Sequence, residues 1–374
     1  MPGIYLHIPF CKQACHYCNF HFSTSLKYKD EMVAAMLHEL KLQKDYLGGE
    51  PVETIYFGGG TPSLLDRRDL DLFFDEIFKQ FKVETSGLEI TLEANPDDLT
   101  PLKISELRQT PVNRFSIGVQ SFSEADLKFM NRAHNAREAI SCIENVQAAG
   151  FENLTIDLIY GSPTTSDTQW AANLEQVFRF NIPHLSCYCL TVEEKTALAS
   201  FIKTGKAKPV DEKQAERQFK FLMKQASAQG YDHYEISNFA KPGWHSRHNS
   251  SYWQGKKYLG IGPSAHSFNG ESRQWNVANN SQYMKALKEG KVPFEKEILM
   301  PAQRYNEYVM VSLRTMWGCD LEQIRALGFE KHFLENATVY LEEGLVERIE
   351  NKFKLTEKGK FLADGIAAAL FVEI

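Results

Sequence analysis

The chain has 374 residues, 43% hydrophobic and 24% charged, with a formal net charge of -6. That length predicts one large domain with a smaller one beside it, and the acidic balance argues against bulk electrostatic binding to nucleic acid. No run reaches the ~18 apolar residues of a membrane helix and the first residues do not read as a secretion signal, so a cytoplasmic protein is expected.

In chain order, a strand over 4–8 leads straight into Cys11-Lys-Gln-Ala-Cys15-His-Tyr-Cys18. Further apolar, strand-like runs fall at 52–57, 88–92, 115–119, 154–160 and 185–190. Helical patterns fall at 28–46, 70–81, 123–130, 136–149, 170–180 and 212–229. This alternation predicts six βα units around a parallel sheet over residues 1–230, too few for an eight-fold barrel and so a partial (β/α)6 barrel. Residues 231–297 break the rhythm with Gly, Asn, His and aromatics and are expected to be a connecting region. Residues 298–374 read as helices, a hairpin and a last helix, a winged-helix-like module. This tail is not notably basic, so DNA binding is not expected of it. Cys142, Cys187, Cys189 and Cys319 read as buried thiols of a reducing compartment.

Three thiolates as closely spaced as Cys11, Cys15 and Cys18 can hold three corners of a cubane 4Fe-4S cluster and leave its fourth iron open. The alternative is a zinc knuckle completed by His7, His16 or His21, although short zinc sites usually take two separated ligand pairs. The spacing resembles the Cys-x3-Cys-x2-Cys signature of radical S-adenosylmethionine (SAM) proteins. That resemblance implies that SAM chelates the open iron and that Tyr17 packs near its adenine. Tyr5, on the first strand, is expected either to approach SAM or simply to face the core.

Other polar residues fall where strands end, the ligand face of parallel α/β folds. Gly58-Gly59-Gly60-Thr61-Pro62 follows the second strand and would let a ligand reach bare backbone, or else make only a tight turn. Beside the cysteines it resembles the glycine-rich motif with which radical SAM proteins hold the SAM amino group. Glu93 ends the third strand and needs a partner, which SAM hydroxyl or amino groups can supply. Gln120, Arg132 and Asp157 form either a second polar set, to which the radical SAM resemblance assigns SAM as the ligand, or an ion-pair network bracing the sheet. In the segment Arg247-His248-Asn249-Ser250-Ser251-Tyr252-Trp253, a histidine among aromatics is either a haem ligand or a hydrogen-bonded core residue. His245 and His266 are competing ligands nearby.

Taken together, the first strand with its cysteine loop, Gly58–Pro62, Gly118-Val119-Gln120-Ser121-Phe122, Asn131-Arg132 and Ile156–Gly161 resemble the oxygen-independent coproporphyrinogen III dehydrogenase branch of radical SAM proteins. Two features differ from the dehydrogenases themselves. Phe20 stands where they have another cysteine, and they carry a longer segment before the first strand. The run His248-Asn249-x-x-Tyr252-Trp253 is instead similar to the HNxxYW motif of HemW-type haem chaperones. This resemblance implies a 4Fe-4S cluster, SAM and haem as ligands, with haem handed to acceptor proteins. It also implies a homodimer and a peripheral membrane contact when loaded. The alternative function is the dehydrogenase itself, a radical SAM oxidative decarboxylation.

Overall fold

The computed structural model describes residues 2–373. Six parallel strands form its centre: β1 (Gly3–Ile8), β2 (Thr54–Gly59), β3 (Glu89–Ala94), β4 (Arg114–Gln120), β5 (Leu154–Tyr160) and β6 (His184–Cys189), paired in sequence order. Their apolar runs are buried on both faces, as parallel strands covered by helices must be. In β1 and β2, Ile4, Leu6, Ile55 and Phe57 are fully buried. The register between the two runs from Gly3 opposite Thr54 to Ile8 opposite Gly59, so the cysteine loop and the glycine turn leave the sheet at the same height.

Helices α1 (Lys29–Leu42), α2 (Arg67–Gln80), α3 (Pro101–Leu107), α4 (Glu124–Phe129), α5 (Ala136–Ala148), α6 (Asp167–Arg179), α7 (Ala197–Lys203) and α8 (Glu212–Ala228) connect these strands or follow β6. Their starts are set by local chemistry. Asp66 with Asp69, Asn135 with Glu138, and Ser166 with Gln169 close reciprocal capping boxes at α2, α5 and α6, satisfying first-turn N–H groups that have no partner within the helix.

Beyond residue 230 the structure departs from the expected connecting region. The hairpin β7 (Asp232–Glu235) and β8 (Asn238–Ala240) adds to the sheet beside β6. Helix α9 (Arg247–Trp253) then returns the chain to the other side, where β9 (Tyr258–Ile261) pairs parallel to β1. Strands β10 (His266–Phe268), β11 (Ser272–Asn276) and β12 (Phe294–Ile298) continue that edge, with α10 (Asn280–Lys288) between the last two. The result is one twelve-stranded sheet in which β6 and β1 do not pair with each other, so the six-stranded centre is an open barrel. The physical reason the segment belongs to the barrel is buried polar bonding. Glu39 of α1 accepts from the Gly262 amide at 2.8 Å, from Asn276 at 2.7 Å and from Tyr283, tying α1 to the β9–α10 region inside the core.

The C-terminal module consists of α11 (Pro301–Leu313), β13 (Cys319–Asp320), α12 (Leu321–Ala326), α13 (Glu330–Glu342), β14 (Val346–Ile349), β15 (Lys352–Leu355) and α14 (Ala363–Ala369). Its three-stranded sheet, ordered β13-β15-β14, with helices before the hairpin is the winged-helix-like arrangement. Arg314 fastens it to the barrel through Glu235 at 3.1 Å and to its own Asp364 at 2.6 Å. Cys142, Cys187 and Cys319 are buried thiols, while Cys189 is half-buried. Among the described residues no helix is long and apolar enough to cross a membrane.

Candidate functional site

The loop after β1 is held at many points. Cys11 N–H donates to the Ser23 carbonyl at 3.0 Å and Ser23 N–H to Pro9 at 2.9 Å, closing the loop at its base. His16 N–H donates to Met130, Asn131 Nδ2 to Ala14, and Leu198 N–H to His16, fastening its far side to the α4–α5 junction and α7. Cys11, Cys15 and Cys18 are free, half-buried thiols that open into one cavity. Burial pushes the Cys11 thiol up to about 11, and the neighbouring Cys18 and Cys15 add to this while Thr61 opposes it.

Among the described residues no three His, Cys, Asp or Glu side chains converge as they would around a single ion. The histidines proposed to complete a zinc knuckle have other partners: His7 Nε2 donates to the His21 carbonyl, His16 Nδ1 meets the Phe129 carbonyl and His21 Nε2 meets Asn280. A cubane cluster, which gives each thiolate its own iron, does not require such convergence. Arg132 lies beside the loop, with Nη1 donating to Cys15 Sγ at 3.3 Å and Nη2 to Asn95 Oδ1 and the Gly118 carbonyl. Its Nε is buried and has no partner. A guanidinium bonded to a thiol and to neutral groups keeps its positive charge beside the loop, which suits an anionic cluster.

The glycine turn meets the cysteine loop backbone to backbone. Gly60 N–H donates to Ile8 and Thr61 N–H to Phe10, at 2.9 and 2.7 Å. These two amides are therefore engaged within the protein. Gly59 has φ +105°, and a Cβ there would strike the His7 ring at 2.7 Å. A Cβ on Gly60 would meet the Phe10 carbonyl at 2.5 Å.

Deeper in the same cavity lie Glu93, Gln120 and Asp157. Glu93 accepts from the Tyr56 hydroxyl at 2.7 Å, and burial raises it to about 7. Asp157 accepts from Ser116, and burial raises it to about 6. Gln120 follows a register shift in β4 and sits at φ 68°, a left-handed backbone that a side chain rarely adopts without cause. The ion-pair network weighed for Gln120, Arg132 and Asp157 is not formed: Arg132 bonds to Asn95, Cys15 and a carbonyl, and Asp157 bonds to a serine.

The cavity, about 2140 Å³, thus brings together Cys11, Cys15, Tyr17, Cys18, Gly59, Gly60, Thr61, Glu93, Gln120, Arg132 and Asp157. Two expected residues lie outside its lining. Tyr5 packs against Tyr56 with ring centroids 6.0 Å apart. His248 is fully buried near the starts of β1 and β2, with Nδ1 2.8 Å from Thr54 Oγ1 and Nε2 2.8 Å from the Tyr252 hydroxyl. Burial pushes its pKa down to about 3. Its ring stacks on Tyr56 at 4.9 Å, one aromatic layer from Glu93. In this placement both ring nitrogens are engaged, as in the core-residue reading of the motif. His245 is likewise engaged, by Asp232 at 3.0 Å, while His266 is exposed beside Trp275.

Sequence reasoning missed Asn95, Tyr56 and Ser116. The first of these had a signal: Asn95 follows Glu93 by two positions at a strand end, the spacing that puts side chains on one side.

A twisted parallel barrel with three cysteines on its first loop is the architecture of a radical SAM protein. A family profile described as the Radical SAM superfamily matches residues 5–177, and one described as the HemN C-terminal domain matches 299–362. The chain is 32% identical over 373 residues to the Heme chaperone HemW of Mycobacterium tuberculosis (strain H37Rv), covering 98% of this chain and 94% of that protein. It is 31% identical to the Heme chaperone HemW of Bacillus subtilis (strain 168), covering 100% of both. The chain belongs to the HemW heme chaperone family. Its fold matches that of coproporphyrinogen III oxidase (HemN) from Escherichia coli with a TM-score of 0.85 at 22% identity, over 100% of this chain and 90% of that one.

Proposed function

We propose that this chain is a haem chaperone of the reducing cytoplasm: it carries a 4Fe-4S cluster on Cys11, Cys15 and Cys18, binds SAM beside it and delivers haem to acceptor proteins. The observation that carries this reading is the size and lining of the cavity. At about 2140 Å³ it is at least twice the ~300–1,000 Å³ of an ordinary small-molecule site. One end has the thiols and polar strand ends that suit a cluster and SAM, and room remains for a second large ligand.

When bound, the cluster supplies an open iron and an electron. The chain's own residues do the rest. Arg132 donates to Cys15 and sets a positive charge beside the cluster loop, and Gly60 lines the cavity next to it. Glu93 and Asp157 offer half-buried acceptors for hydroxyl or amino groups. Phe20 favours delivery over dehydrogenation. It lines the same cavity, is 67% exposed and offers no thiol to the chemistry. Ligation of haem by His248 belongs to a state in which α9 has left the starts of β1 and β2, since both ring nitrogens are otherwise engaged. A second copy of the chain and a membrane surface are further contacts we propose for the loaded protein, from the family resemblance.

The test is an anaerobic haem titration of cluster-reconstituted protein followed by absorbance, with coproporphyrinogen III consumption assayed in the same sample in the presence of SAM and reductant. Stoichiometric haem binding without turnover is expected. Turnover to protoporphyrinogen would establish the dehydrogenase instead.

A further inference from the structure

The cavity continues beyond the strand ends to the seam between barrel and C-terminal module. There α8 contributes Phe219 and Met223, and the segment after β15 contributes Lys360 and Phe361. The apolar wall is ordered by ring contacts: Phe219 meets Phe361 edge-on at 5.1 Å and His233 edge-on at 5.9 Å.

Lys360 is the unusual group of this wall. It is half-buried, and its Nζ donates to His233 Nδ1 at 3.0 Å instead of to a carboxylate. Glu357 and Glu347 act on it only through space, and burial, the larger effect, lowers its pKa. His233 is itself fixed. Its Nε2 donates to the Ile236 carbonyl at 3.0 Å, which sets the tautomer and leaves the Nδ1 lone pair for the lysine. Its ring also stacks on Phe239 at 4.1 Å. Of the other cations at this end, Arg314 is paired with Glu235 and Asp364 and Lys220 with Glu216. Lys358 Nζ donates to the Glu343 carbonyl, and Lys224 has no carboxylate partner among the described residues; Lys360 differs in being held on a histidine. An ammonium has three donors, and holding it half-buried on a neutral partner is unfavourable until an anion arrives.

We propose that this seam is the porphyrin seat, with the ring plane against the half-buried Phe361, which the buried Phe219 backs from the core, and a porphyrin carboxylate on Lys360, which His233 aims. The assignment rests on the haem-chaperone reading and gives the porphyrin a location for the state in which His248 stays bonded to Thr54 and Tyr252.

The test compares haem with haem dimethyl ester, in which both carboxylates are masked. Each is titrated anaerobically into full-length, cluster-reconstituted wild type, Lys360→Met and Lys360→Arg. Wild type is expected to bind haem at least ~10-fold more tightly than the ester, since a desolvated charge pair is lost in the ester. Lys360→Met should bind haem ~10-fold more weakly and the ester unchanged, while Lys360→Arg retains the preference. Wild-type haem affinity in Lys360→Met would overturn the proposal, as would equal losses for haem and ester, which mark a packing defect. If wild type binds neither ligand, the chaperone reading itself fails and takes the proposal with it.

Discussion

Replacing Gly60 with alanine perturbs the one place where the glycine turn and the cysteine loop touch through backbone alone. The new Cβ would stand 2.5 Å from the Phe10 carbonyl oxygen, 2.8 Å from that of Ile8 and 2.9 Å from the Phe10 nitrogen. None of these atoms can rotate away, so the loop must retreat by roughly 1 Å to reach an ordinary contact distance. Such overpacking costs about 1–3 kcal/mol. The retreat also weakens Gly60 N–H to Ile8 and Thr61 N–H to Phe10, each worth about 1 kcal/mol. A total of about 3–5 kcal/mol is large against the ~5–15 kcal/mol by which domains are stable, yet leaves the chain folded. Because Cys11 directly follows Phe10, cluster assembly should suffer more than the fold. The assays are iron and sulfide content after anaerobic reconstitution, and the urea midpoint of the cluster-free protein. Gly365→Ala is the contrast, because its Cβ would meet nothing within 4 Å inside α14. It should stabilise by up to ~1 kcal/mol through helix propensity. Full iron content and an unshifted midpoint in Gly60→Ala would refute the close approach.

Cys15→Ala should abolish cluster assembly while leaving the thermal midpoint nearly unchanged, because Cys15 is only half-buried; undiminished iron content would remove it from the ligand set. His248→Ala removes a ring that bonds Thr54 and Tyr252 and stacks on Tyr56, so a loss of about 2–4 kcal/mol is expected from urea unfolding. Weakened haem binding at an unchanged midpoint would make that residue a ligand and not a brace. Glu93→Gln tests the buried carboxylate. Its folded pKa of about 7 lies above its ordinary value near 4.5, so the folded state holds the extra proton between them and stability falls as pH rises through 7. The glutamine variant should therefore gain stability relative to wild type at pH 8 but not at pH 5, and bind SAM more weakly. An equal difference at both pH values would contradict the raised pKa.

The barrel was legible because its strands are long apolar runs. The run at 154–160 coincides with β5, and the helical pattern at 136–149 exceeds α5 by a single residue. Helix α3 went unseen although Thr100 before Pro101 is a start signal, with threonine as the cap and proline in the first turn. The edge strands β7–β12 escaped because they have only three to five residues each, too few to show a period. The cysteine loop and glycine turn were readable as motifs, since function there needs fixed residue types. The engagement of the Gly60 and Thr61 amides was not readable, because it depends on the register of β1 against β2. The surroundings of His248 were hidden for a related reason: aromatic neighbours in sequence do not reveal whether a ring faces a ligand or the bases of two distant strands. Lys360 and His233, 127 positions apart, meet only through the docking of the C-terminal module.

The strand that presents the cysteines is not at a border of the sheet. With β9 on one side and β2 on the other, β1 has four or more strands beyond it in either direction. Fluctuations that admit a bulky guest spread from borders and module seams, where pairing is short and contacts are fewest. Such breathing can be absorbed at β7, β8 and the C-terminal module while the suspension of the cluster loop stays still. On the function proposed above, the two tasks fall to different parts of one sheet: its interior holds the cysteine loop, and its border and the module seam are left to yield.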